Sequence, residues 1–145
     1  MIIMPDLTEL ALTGPVDRNV PNQERLILRP QMALELGYYC VALGFRLPDS
    51  KSAIPIPGSA FWFGEAAVAP SDWIFLYTGA GKNYVGTMPG GTDRALVYYW
   101  SRPMTTFTHS SIVPMIFRFA AVQVGAPGPP AASESPNLLS SFLKP

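Results

Sequence analysis

One stretch near the middle of the chain constrains the fold more than any other. Trp73–Trp100 reads WIFLYTGAGKNYVGTMPGGTDRALVYYW: two aromatic-rich apolar runs with glycine-rich punctuation between them. Side chains on an extended strand point to opposite faces in turn. In the first run Trp73, Phe75 and Tyr77 oppose Ile74, Leu76 and Thr78. Both sets are large, which predicts a central strand covered on both faces. Gly79–Asn83 and Met88–Asp93 have turn composition, with a short strand, Tyr84–Thr87, between them. In the second run Ala95, Val97 and Tyr99 alternate with Arg94, Leu96, Tyr98 and Trp100.

The same period recurs along the chain. In RLILRP, Leu26 and Leu28 face one way while Arg25, Ile27 and Arg29 face the other, and Pro30 ends the run. In YYCVALGFRL, Tyr39, Val41, Leu43, Phe45 and Leu47 form a uniformly large apolar face, predicted to be the core face. Cys40, Ala42 and Gly44 lie opposite and are small, which suits close approach of another layer or a half-exposed sheet. Ala53–Pro57 reads as a short edge strand. Phe61-Trp62-Phe63 cannot all face one side, so at least one ring must meet another layer, a partner or solvent. Ile112–Val124 reads as the last strand, with Pro114 near its start and a bulge at Ala120-Ala121.

Helical signal is scarce. Gln31–Leu36 is rich in helix formers but too short to stand alone. Leu7–Leu12 reads as a strand or one helical turn, ended by Gly14-Pro15. The expected architecture is all-β: a β-sandwich of seven or eight short strands over residues 1–124, with 1–22 as an N-terminal strand or arm. From Gly125 the composition turns to Pro, Gly, Ala and Ser, which predicts a disordered tail over 125–145. Leu138-Leu139 with Phe142-Leu143 has helix-like spacing within it and reads as a tail remnant or a short docking motif.

From Glu24 to Val124 the pattern resembles the lamin-tail domain, an immunoglobulin-like β-sandwich. ERLILRP looks like that family's opening strand. LELGYYCVALGFRLPD looks like its leucine-glycine-aromatic strand, with Tyr38 where the family often shows Trp. IPIPGSAFWF and AVAPSDWIFLYTGAG look like its proline-led strand, turn and hydrophobic strand. Ala69-Pro70-Ser71-Asp72 stands where the family has a glycine-rich turn. The resemblance implies a binding or accessory module that engages partners rather than catalyses.

Composition narrows the function classes. Charged residues make up only 14% of the chain, against about 25% in ordinary globular proteins. A surface so poor in charge favours burial against a partner, including a second copy in a homo-oligomer. Ten basic and ten acidic side chains cancel, so the field that attracts a phosphate backbone is missing and no nucleic-acid partner is expected. No apolar run reaches the ~18 residues of a membrane helix, and the N-terminus lacks the basic flank and apolar core of a signal peptide. Cys40 is the sole cysteine, so neither an internal disulfide nor a thiolate cage can form within one chain. These features point to a cytoplasmic protein without a membrane, metal or cofactor partner.

Catalytic motifs fail one by one. GAGKN at 79–83 superficially matches a phosphate loop, but that pattern needs glycine at 76 and Ser or Thr at 83, where Leu76 and Asn83 stand. Cys40 lies among apolar residues, where a thiol is inert, and His109 sits apart in a Thr/Ser-rich segment. Ser110 and Ser111 lack a nucleophile elbow. Turn chemistry accounts for Asp72 and Asp93, with Glu65 the remaining loop acid. The aromatic set is larger than one core face needs, and Trp, Tyr and Arg dominate interface hot spots. The expected partner-binding residues are therefore Trp62, Tyr98, Trp100 and Arg102, with no catalytic residue. Two other readings stand beside this one: a viral or phage structural subunit, from low charge and abundant turns, and a small hydrolase using loop carboxylates or His109.

Overall fold

The computed structural model describes residues 4–133. Among them are eleven strands and one 3-10 turn, and no α-helix. The strands are β1 (Leu10–Val16), β2 (Arg25–Pro30), β3 (Leu34–Glu35), β4 (Tyr39–Arg46), β5 (Ala53–Pro55), β6 (Phe61–Trp62), β7 (Ala67–Val68), β8 (Trp73–Tyr77), β9 (Tyr84–Thr87), β10 (Arg94–Tyr99) and β11 (Ile112–Arg118). The turn, Leu36–Tyr38, joins β3 to β4.

The strands form two main sheets and a ribbon. The first sheet has the order β1-β2-β8-β10-β9. Its central pair, β8 and β10, runs parallel, with Leu96 beside Ile74 and Tyr98 beside Leu76; the other pairs are antiparallel. The second sheet has the order β11-β4-β5, with β6 also paired to β4. The ribbon is β3 with β7.

A single cluster fills the space between the sheets. Leu26, Leu28, Ile74, Leu76, Leu96 and Tyr98 come from the first sheet, and Tyr39, Val41 and Leu43 from β4. Alternation puts each of these on the inward face of its strand. Full burial of one such Leu or Ile contributes about 1.5–3 kcal/mol. Phe107, from the loop before β11, is fully buried in the same cluster.

Several expectations are corrected. Eleven strands form instead of seven or eight, the surplus being the two-residue pieces β3, β6 and β7. Gln31–Leu36, too short for a helix of its own, is a connector: Leu34 and Glu35 pair with Val68 and Ala67, and Leu36 opens the 3-10 turn. Glu35 then accepts the Gly37 N–H at 3.1 Å, which closes the turn. Gly14-Pro15 does not end β1; the ladder slips between Thr13 and Val16 and continues. β11 ends at Arg118, so Ala120-Ala121 lies beyond it and is no bulge; residues 119–133 form neither strand nor helix. The rest of the predicted tail, with Leu138–Leu143, lies outside the described residues.

β8 is central, but among the described residues no third layer covers its outer face. Trp73 and Phe75 stack with centroids 6.3 Å apart, and Tyr77 stacks on Tyr99 at 5.4 Å. The Arg29 guanidinium lies 3.7 Å from the Trp73 ring centre, and Arg25 lies 5.8 Å from that of Tyr77. Rings standing side by side shield one another and are roofed by arginine stems. On β4 the large face is core only as far as Leu43. Phe45, near the end of the strand, and Leu47, just past it, are exposed.

Carboxylates fasten the ends of the two layers. Glu24 is 1% exposed and accepts four hydrogen bonds. They come from Asn19 N–H at 2.8 Å, the Thr78 hydroxyl at 2.8 Å, Thr106 N–H at 2.7 Å and Phe107 N–H at 3.2 Å. Burial pushes its pKa up, but these bonds together outweigh burial and hold the carboxyl below its ordinary range. Asp72 accepts two bonds from Arg94, at 3.1 and 2.7 Å, and one from Ala69 N–H at 2.9 Å. The Arg94 bonds, opposed by burial, lower its pKa. Glu9 takes the Tyr39 hydroxyl at 3.0 Å and Arg118 at 2.7 Å, joining the segment before β1 to β4 and β11.

Candidate partner-binding surface

The outward face of the second sheet is built by the residues of β4 that alternate with its core positions. Register places Phe117 of β11 and Trp62 of β6 on either side of Cys40. Met115 pairs with Ala42, and Val113 pairs with Gly44. A Cβ on Gly44 would overlap the Met115 sulfur, so the methionine lies across the glycine. Among the described residues, these flanking side chains and not another layer bury Cys40, Ala42 and Gly44. The face is therefore continuous and apolar. Tyr38 and Phe119, both exposed, follow at one end, where Phe119 N–H donates to the Tyr38 carbonyl at 2.6 Å.

Trp62 dominates this face. It is 59% exposed, and its indole N–H donates to the Gly37 carbonyl at 2.9 Å. An exposed ring held in one orientation loses little freedom on binding. Its neighbours Phe61 and Phe63 turn inward, Phe63 with its centroid 5.1 Å from that of Tyr98. The three consecutive aromatics thus divide between core and surface as alternation requires.

The other three predicted binding residues do not join Trp62. Tyr98 is 9% exposed and Trp100 8%; both belong to the core, packed with Phe61. They share the parity of Leu96, which points them at the opposite sheet. Neither offers a face to a partner. Arg102 lies past the end of β10, its guanidinium 5.9 Å from the centre of the Trp100 ring. It borders a cavity of about 200 Å³ with Asn22, Thr78, Gly79 and Met104.

Of the groups weighed for catalysis, Cys40, His109 and Asp72 each sit in a defined local setting. Burial raises the pKa of the Cys40 thiol, which disfavours the thiolate. His109 is exposed, and its Nδ1 accepts the Ser111 N–H at 3.0 Å. Asp72 is paired with Arg94. Among the described residues no group of three or more His, Cys, Asp and Glu is placed to hold a metal ion. No helix among them is long and apolar enough to cross a membrane.

Glu24 and Phe107 escaped the sequence reading. For Glu24 the signal was present: stepping back by twos from Leu28 and Leu26 lands on it, so the alternation already put it on the inner face. Phe107, in a loop, carried no such signal. Compared with protein-family models, curated proteins and solved structures, the chain matches none.

Proposed function

We propose that this protein is a non-enzymatic interaction or accessory module that acts in a protein complex through the outward face of its second sheet. The observation that carries the reading is Trp62: a large ring, mostly exposed, fixed by a hydrogen bond and set in an apolar row with Phe117 and Met115. The partner is a protein, either a second copy or a different subunit. Interface hot spots are enriched in Trp, and the apolar surroundings exclude water from such an anchor. The reading includes the immunoglobulin-like, lamin-tail-like kinship, supported by two facing sheets that share one core. It also includes a cytoplasmic setting, which a single buried free thiol suits.

The test compares wild type with Trp62→Ala. Solution mass over a range of concentrations reads self-association, and affinity capture from the native host reads other subunits. Loss of a hot-spot ring costs about 2–4 kcal/mol, or roughly 30- to 1,000-fold in affinity. The fold should survive, since the substitution removes one exposed hydrogen bond worth about 1 kcal/mol. An unchanged mass and an unchanged set of captured proteins, in a variant that is folded, would reject this surface.

A further inference from the structure

The half-buried arginines among the described residues are Arg25, Arg29 and Arg102. Arg25 reaches Asp17 at 2.6 Å and the Gln23 carbonyl at 2.9 Å. Arg29 donates to the carbonyls of Asp72 and Pro70, both at 3.1 Å. The Arg102 guanidinium has no carboxylate or hydrogen-bond acceptor among the described residues; its contact is with the Trp100 ring. Five N–H donors in a rigid fork are thus left open to whatever enters the adjoining cavity.

The cavity is half open to solvent, and backbone hydrogen bonds fix one side of it. Arg102 N–H donates to the Thr78 carbonyl at 2.8 Å, and Ser101 N–H to the Gly79 carbonyl at 3.0 Å. Asn22, held at a φ of 62°, lines the cavity beside them. Glu24, hydrogen-bonded to Thr78, forms no ion pair with Arg102; its two oxygens accept from four neutral donors instead. The lip is apolar, with Pro103 and the exposed Met104. About 200 Å³ is room for roughly seven waters at ~30 Å³ each. Sites for drug-sized ligands and cofactors run from about 300 to 1,000 Å³, so this one suits a single side chain.

We propose that this cavity takes the carboxylate of an acidic peptide segment on a partner protein. Arg102 holds it through the two-pronged geometry that guanidinium and carboxylate share, and the Asn22 amide supplies a further donor. Pro103 and Met104 meet an apolar neighbour of the acidic residue. A phosphate fits less well, because Arg102 is the one cationic side chain among the lining residues. The site is separate from the Trp62 face and stands without it.

The probe is acetyl-glutamate amide titrated into isotopically labelled protein, with acetyl-glutamine amide and inorganic phosphate in parallel. Saturable shifts are expected at the Arg102 side-chain N–H and the Gly79 and Met104 amides with the glutamate compound alone. Arg102→Gln should weaken that binding by about 10- to 100-fold, and Arg102→Lys by less. Trp62→Ala should leave it unchanged, which separates failure here from failure of the proposed interaction surface. A response equal for glutamate and glutamine, a response to phosphate alone, or no saturable response would each overturn the assignment. The comparison of compounds on wild type decides the matter even if an Arg102 variant does not fold.

Discussion

Replacing Glu24 tests the account of how this domain closes. Its carboxylate receives donors from three separate loops, and Glu24 and Phe107 lie far apart in the chain. Glu24→Ala would strand the backbone N–H groups of Asn19, Thr106 and Phe107. The Thr78 hydroxyl has a fallback in the Glu24 carbonyl, 3.4 Å away. The buried Thr106 and Phe107 donors cost about 1–3 kcal/mol each, while the exposed Asn19 can turn to water, for a sum of about 4 kcal/mol. Glu24→Gln is milder. Its amide nitrogen is best placed at the Oε1 position, where the Thr78 hydroxyl can turn to accept, leaving Thr106 N–H facing a donor. The cost is then about 2 kcal/mol, or a fall of roughly 6–8 °C in Tm for a domain of this size. Urea unfolding at neutral pH measures it. The acid limb supplies a second check. The folded carboxyl titrates below its ordinary value of 4.5. Its contribution to stability is therefore complete above pH 4.5 and is lost as pH falls through the folded pKa. Glu24→Gln should lose less stability than wild type between neutral pH and about pH 3, the remainder coming from Glu9 and Asp72, whose values are also lowered. A Glu24→Gln variant within about 0.5 kcal/mol of wild type, or one equally sensitive to acid, would refute the reasoning.

Two further outcomes follow from the outward face of the second sheet. Gly44→Ala drives a methyl into the Met115 sulfur and should cost about 1–2 kcal/mol; Met115→Ala should relieve most of that cost, read as a coupling energy in a double-mutant cycle of urea midpoints. Cys40, 7% exposed between Trp62 and Phe117, should react slowly with a thiol reagent in the native state and several-fold faster in Trp62→Ala, with equal rates in denaturant. Equal native rates for the two proteins would show that Trp62 does not shield the thiol.

Much of the secondary structure was legible in the residues. Alternation in RLILRP, WIFLY and RALVYY gave the strands and sorted their side chains into two sets, because extended backbone turns each successive side chain to the other face. Glycine, proline and aspartate marked most of the turns. Phe61-Trp62-Phe63 even announced that one ring would differ in exposure from its neighbours. What alternation does not say is which set meets the opposite sheet. That depends on strands distant in sequence, and it decided that Tyr98 and Trp100 are core while Trp62 is surface. The parallel pairing of β8 with β10, the cover that Met115 gives Gly44 and the closure of Glu24 on Thr106 and Phe107 are likewise non-local. A strand's own residues fix its two faces; only the packing of the two layers assigns one to the interior and leaves the other to water or a partner.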